Sequence, residues 1–459
     1  MVSSVEVESV PPTALPSRKR ARRLDTAEDR LSDLPDCLLH AILARLQSRQ
    51  AVQTSTLSRR WRHLWRSVPC VDIDQRQFPG SHVPGSRQRG RFEDFADSML
   101  AFAGAAPSSR TPLDAFRLHL VDGGSASSDR WVRRGLKRRP ATVDIRCSLG
   151  DFRGMVEWPP GHVNLAAAAC RLTTLTLFGV TLRHGFAERL GALCPAIQDL
   201  RIDNCHHHSS HCTIVSPSLK FLTLFCRMSY PYSSAITLAI ASPRLATLFL
   251  FVPFGGTGVH PVITAAPGHQ ALASLARASI CIYDRDRPNK RPNKTKLEFL
   301  RSMRVFLARL SNVRILRLSG FTSKALLDHE SQEFPTFQNL TTLVLRCCDV
   351  GAFNSQVLLR MLDSTPNLEK IGLYHCKVWM VDGTDDETEQ KREPRALTHC
   401  GCKAMLEIHR IAGTDPIQRT EPFHETLRET NGRKRRSGRC SECGSFNHDI
   451  CKCRDLGRG

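Results

Sequence analysis

No run of eighteen or more apolar residues occurs in the 459-residue chain. The best candidate, AITLAIASPRLATLFLFVPF, is interrupted by Pro243 and Arg244, so no membrane-spanning helix is expected. The N-terminus, MVSSVEVESVPPT, sets acidic residues and prolines where a signal peptide needs a basic start and an apolar stretch. Neither secretion nor a membrane is therefore expected. A Gly-rich phosphate loop is missing, as is any serine or cysteine nucleophile motif with an identifiable base, which argues against an enzyme. Aromatic residues are scarce, at 7% of the chain.

Positive charge, by contrast, is abundant. The formal charge of +21 favours acidic partners, nucleic acid among them. It gathers in RKRARR (Arg18–Arg23), in DRDRPNKRPNKTK (Asp284–Lys296) and in RKRR (Arg433–Arg436). Short basic clusters near the termini read as nuclear-localisation signals, so the nucleus is expected, and the cytoplasm as well. The eighteen cysteines are scattered through apolar segments, which fits free buried thiols in a reducing compartment.

The first patterned segment is DRLSDLPDCLLHAILARLQSRQAVQTSTLSRRWRHLWRSVPCVDID. Asp33 or Asp36 can cap a helix carrying Leu38, Leu39, Ile42, Leu43 and Leu46 at helical spacing. A second short helix carries Ala51, Val52 and Leu57, and a third Leu57, Trp61, Leu64 and Trp65. Three helices in so few residues cannot bury all these groups among themselves. Two tryptophans and several leucines are expected to stay exposed and to meet a partner. The block LPDCLLHAILARL leading into LSRRWRHLW resembles the F-box of plant F-box/leucine-rich-repeat proteins. The resemblance implies docking to a Skp-type adaptor and, through it, a cullin scaffold of a ubiquitin ligase. By position it assigns the adaptor contacts to Leu34, Pro35, Leu39, Ile42, Leu46, Val52, Leu57, Trp61 and Trp65. RING-type ligand spacing is missing, so any ubiquitin chemistry falls to partners.

Beyond residue 100 a pattern of apolar, two residues, apolar, one residue, apolar recurs. It starts at Leu172, Ile197, Leu219, Leu245, Leu275, Val313, Leu340 and Leu368, with a weaker copy at Leu113. That is the period of a leucine-rich repeat with insertions, each unit giving one parallel strand and stacking on the next as a solenoid. Alternate strand residues then face outward. One outward row is Phe178, Asp203, Phe225, Phe251, Tyr283, Ser319, Arg346 and Tyr374. Its aromatic members, Phe178, Phe225, Phe251, Tyr283 and Tyr374, are the expected anchors for an unknown protein substrate. Cysteines just past the strands, Cys205 among them, read as buried spacers. CHHHSSHC (Cys205–Cys212) reads as an exposed polar loop, because its spacing matches no common zinc site. The stretch Phe334–Cys376 also resembles the last repeats before the FBD region of the same plant family.

The C-terminus carries CSECGSFNHDICKC. Cys440, Cys443, His448 and Cys453 form C-x2-C-x4-H-x4-C, a complete tetrahedral ligand set for one structural zinc ion. The motif resembles the zinc knuckles of nucleocapsids and some RNA-binding proteins. That resemblance assigns Phe446 and Ile450 to stacking on single-stranded nucleic acid, with Arg435 and Arg436 tracking phosphates.

The expected fold class is α/β. A disordered basic tail (1–28) precedes a small three-helix F-box (29–72) and a linker (73–104). An irregular leucine-rich-repeat solenoid (105–380), a charged disordered linker (381–432) and a basic segment with the CCHC knuckle (433–459) follow. The expected function is the substrate-recognition subunit of a Skp–cullin–F-box ubiquitin ligase. Two other readings stay open, a zinc-knuckle nucleic-acid-binding protein and a decayed F-box receptor.

Overall fold

Pro35 sets the start of the first helix. With φ at −56°, it turns its carbonyl to accept from the N–H groups of Leu38 and Leu39, at 3.0 and 3.2 Å. In the computed structural model, the described residues are 31, 33–102, 112–121, 126–148, 156–160, 165–207, 211–225, 237–254, 262–265, 272–284, 294–320, 335–346, 362–374 and 405–409. The chain divides into two units, Met1–Val156 with Pro160–Ala169, and Glu157–Pro159 with Cys170–Gly459. No helix among the described residues is long and apolar enough to cross a membrane.

The first unit begins with α1 (Asp36–Leu43) and α2 (Ser48–Gln53). No side chain caps α1, contrary to the expectation for Asp33 or Asp36. Asp36 instead lies in the first turn, where its carboxylate opposes the positive end of the helix dipole and accepts from Arg60 at 2.8 Å. The third expected helix reduces to a 3-10 turn at Leu64–Ser67. Trp61 precedes that turn and is 2% exposed, buried with Leu39, Leu43, Ala51 and Val68. The expectation that both tryptophans stay outside is therefore corrected: one indole supplies the centre that two short helices cannot supply themselves.

Of the segment 73–104, expected as a linker, residues 73–102 are structured as well. Strand β1 (Cys70–Asp74) runs into a 3-10 turn and then α3 (Arg87–Phe102). Strand β2 (Ala115–Leu120), helix α4 (Ala126–Lys137) and strand β3 (Thr142–Cys147) follow. The three strands are parallel, with Val71 opposite Phe116 and Phe116 opposite Val143. Phe92 of α3 meets Trp131 of α4 edge-on at 5.4 Å, and Asp97 accepts from Trp131 Nε1 at 3.0 Å and from Arg134 at 2.8 Å. Phe92, Ala96 and Met99 recur at helical spacing and are buried, but arginines crowd that stripe in the sequence.

The second unit is built on parallel strands in chain order: Thr174–Phe178, Asp199–Asp203, Phe221–Phe225, Thr247–Phe254, Arg277–Asp284, Ile315–Gly320, Thr342–Arg346 and Lys370–Tyr374. Each coincides with one of the apolar repeats. Leu175, Leu177, Leu200, Leu222, Leu248, Ile280, Leu316 and Leu343 point inward and are buried. A smaller parallel sheet pairs Thr237–Ala241 with His211–Val215 and Val262–Ala265. Met405–His409 adds an antiparallel strand beside Lys370–Tyr374, with Leu406 opposite Leu373 and Ile408 opposite Ile371. This corrects the charged-linker expectation for part of 381–432, because the alternating MLEIH finds an open edge to pair with.

Between the repeats, Asn204 adopts the left-handed conformation with φ +51° and donates its N–H to the Phe225 carbonyl at 2.7 Å. Cys205 is buried beside it and donates to the Leu177 carbonyl at 3.4 Å, the spacer role expected of it. Asparagines standing just before three strands form a further link from repeat to repeat. Asn312 donates to Ala273 O at 2.9 Å, Asn339 to Asn312 Oδ1 at 3.4 Å and Asn367 to Gln338 O at 2.6 Å.

Candidate functional site

Helix α1 is apolar on two sides, and the fold uses them differently. Leu39 and Leu43, four residues apart, are fully buried in the cluster around Trp61. Leu38 and Ile42, also four apart, face outward at 49% and 39% exposure. Leu57, after α2, is 62% exposed, and Leu31 is 46% exposed. Large apolar groups brought out so densely by one short helical unit mark a surface meant to be covered.

Of the residues assigned to adaptor contact, Pro35, Ile42 and Leu57 are exposed, while Leu34, Leu46, Val52 and Trp65 are half-buried. Leu34, Leu46 and Trp65 pack against the internal cluster. Leu39 and Trp61 lie inside it, so their place is to hold the surface up rather than to form it. Leu38 and Leu31, both exposed, are not among the residues so assigned. Helical spacing alone carries Leu38 and Leu39 equally, and only the position of the tryptophan decides which turns inward. Arg60 fixes the entry to α1 by donating to Leu34 O at 2.5 Å and to Asp36 at 2.8 Å.

The far side of α2 is bolted to β1. The Asp72 N–H donates to Ser48 Oγ at 2.8 Å, and Gln47 Nε2 donates to Asp74 Oδ2 at 3.2 Å. Arg49 donates to the Gln77 carbonyl, and its guanidinium lies 4.6 Å from the Phe78 ring centre. Asp74, 4% exposed, also accepts from Arg76 at 2.7 Å and faces His119 at 3.7 Å. Burial by itself raises its pKa, but hydrogen bonds from His119 and Arg76 outweigh this and hold the carboxyl far below the usual carboxylate range. Burial raises the neighbouring Asp72.

The second candidate surface is the outward side of the second unit's sheet. The register places Phe178, Asp203, Phe225 and Phe251 in one row, but continues it through Cys281 rather than Tyr283. Tyr283 pairs with Pro253, two positions further on. The repeat LARASICI misleads because the small Ala278, 2% exposed, occupies the inward place where other repeats carry a leucine or isoleucine. Ser319, Arg346 and Tyr374 complete the row in the expected register. The Phe225 and Phe251 rings are stacked, with centres 4.3 Å apart at 10°. Phe251 is 8% exposed, Phe178 and Phe225 are half-buried, and Phe221 at the start of its strand is 47% exposed. Arg277 and Arg317 are exposed on strands further along.

No group of three or more potential metal ligands occurs among the described residues. His206–His207 and His211–Val215 form strands, and Cys205 and Cys212 are buried, so the flanks of CHHHSSHC are not an exposed loop. Burial pushes the Cys194 thiol up to about 12, which leaves it inert. The knuckle ligands Cys440, Cys443, His448 and Cys453, with Phe446, Ile450, Arg435 and Arg436, lie outside the described residues.

Residues 31–72 match the F-box domain family. Over 413 residues the chain is 41% identical to the MEIOTIC F-BOX protein MOF of Oryza sativa subsp. japonica, covering 87% of this chain and 83% of that one. It is 30% identical over 418 residues to a putative F-box/LRR-repeat protein of Arabidopsis thaliana, covering 84% and 87% respectively. An F-box/FBD/LRR-repeat protein of the same plant is 26% identical over 388 residues, covering 77% of this chain and 79% of its own. These likenesses span both units and support a substrate-recognition role of the kind F-box proteins fill.

Proposed function

The chain belongs to the plant F-box proteins, and on that premise we propose that it is a non-catalytic receptor subunit of a Skp–cullin–F-box ubiquitin ligase. Its F-box docks the adaptor, and its second unit holds a protein for ubiquitination. The observation that carries this reading is the outward apolar set: Leu38 and Ile42 on a helix whose other side is anchored by Trp61, with Leu31 before that helix and Leu57 after α2. Parallel strands following in chain order support a leucine-rich-repeat solenoid as the holding part.

Co-purification of the full chain with a Skp-type adaptor tests the proposal. Leu38→Asp with Ile42→Asp places two charges in the contact without touching the F-box core, and is expected to abolish capture while circular dichroism stays unchanged. Undiminished capture by this variant sinks the reading. Trp61→Ala is a poor probe, since it opens a cavity in the core rather than altering the surface.

The C-terminal C-x2-C-x4-H-x4-C set is proposed as an accessory structural zinc site, supported by a donor set that completes a tetrahedral shell. Purified protein is expected to carry about one equivalent of zinc, and Cys443→Ser to lose it. The basic clusters support a nuclear location on the same footing.

A further inference from the structure

The outward row beginning at Phe221 runs through Thr247, Arg277, Ile315 and Thr342 to Lys370 in continuous register. Arg317 stands in the adjacent row, opposite Ser279. The face is thus graded: an exposed phenylalanine and, four residues along the same strand, a stacked phenylalanine pair at one side, and cationic side chains toward the other. Strands in a sheet lie about 4.8 Å apart, so Arg277 is about 10 Å from Phe221 across the sheet, Arg317 about 14 Å and Lys370 about 24 Å.

We propose that this face binds an acidic, extended segment of a protein partner lying across the strands. One large apolar side chain of the segment seats against Phe221, and carboxylates follow toward Arg277, Arg317 and Lys370. An extended chain advances about 3.3 Å per residue and turns every second side chain to the same side, which puts the facing carboxylates about two, four and eight residues from the anchor. Asp199, directly opposite Phe221 on the preceding strand, repels acidic groups on the other side of the anchor and so fixes which way the segment lies. Nucleic acid fits the same face less well. Asp199 and Asp203 stand beside the phenylalanines, and the closed Phe225–Phe251 stack leaves no gap for a base.

The proposal rests on the second unit being the substrate-holding part, and its test is kept separate from adaptor docking. Fluorescence anisotropy would be measured on the full chain purified with its adaptor, using a labelled peptide with tryptophan followed by Asp, Glu and Asp at two, four and eight residues. A second peptide carries lysines at those places, and a single-stranded RNA oligomer is the third probe. The acidic peptide is expected to bind with clear salt dependence and to weaken about tenfold or more with Phe221→Ala. Arg277→Glu with Arg317→Glu is expected to lose the acidic peptide and gain the basic one, a rescue that mere loss of structure cannot produce. Equal binding of both peptides to the unaltered protein, indifference to Phe221→Ala, or RNA binding that these variants abolish overturns the proposal. Adaptor capture is scored on the same variants. Its loss with peptide binding intact counts against the adaptor reading alone.

Discussion

At the scale of single residues, two glycines in helices separate space from propensity. A Cβ on Gly135 of α4 would lie 2.4 Å from the Phe116 ring, which is fully buried in β2, whereas one on Gly90 of α3 meets nothing within 4 Å. Gly90→Ala is therefore expected to stabilise by about 0.5–1 kcal/mol through helix propensity alone. Gly135→Ala gains the same but overpacks a filled site, for a net loss of about 1–2 kcal/mol in chemical denaturation. Asp74 gives the acid response. Its folded-state pKa is depressed, so its contribution is present above the unfolded value near 3.9 and is lost as pH falls through the lower folded value. Asp72 and Asp199 are raised by burial and act in the opposite sense, regaining stability as they protonate. Asp74→Asn is expected to cost about 2 kcal/mol at neutral pH and to flatten the fall in melting temperature between about pH 5 and pH 2. An unchanged acid limb would mean that the carboxyl is not held by Arg76 and His119.

Among the elements, the repeat strands share one design, apolar residues turned inward along each strand, and three of them add asparagine hydrogen bonds to the preceding repeat. Leu222→Ala, in the middle of the second unit's sheet, is expected to destabilise by about 3 kcal/mol. Asn339→Ala, which breaks one exposed link between repeats, is expected to cost about 0.5–1 kcal/mol. Urea titration of both variants checks the ratio. The strands were legible in the sequence because inward leucines at fixed spacing survive variable insertions. The row of outward residues was legible wherever a repeat kept its large inward residues, and slipped at Ala278, where it did not. Helix α3 was hidden by arginines on its outer side, and β1 because Val71 and Ile73 adjoin the F-box without a break. On α1 the sequence marked which residues are apolar but not which side Trp61 covers. That choice depends on a residue eighteen or more positions away folding back, which no local pattern contains. The asparagine links could have been found, since Asn312, Asn339 and Asn367 each stand immediately before a repeat.

For the molecule as a whole, the F-box has no free end at residue 72. Ser48 and Gln47 bond to Asp72 and Asp74 of β1, which in turn pairs with β2 along its length. A fragment ending at Asp72 is expected to melt without a cooperative transition, whereas one ending at Ala169 keeps the F-box bonds and unfolds in one step by circular dichroism. Equal cooperativity of the two would show that β1 is dispensable to the F-box. The second unit carries a different consequence, because its strands lie side by side in the order in which they are synthesised. Each new strand needs only the one made just before it, so contacts close over tens of residues rather than hundreds. A growing chain can therefore lay down this sheet strand by strand as it leaves the ribosome. Its advancing edge stays open until Met405–His409 arrives, running the opposite way, to cover it.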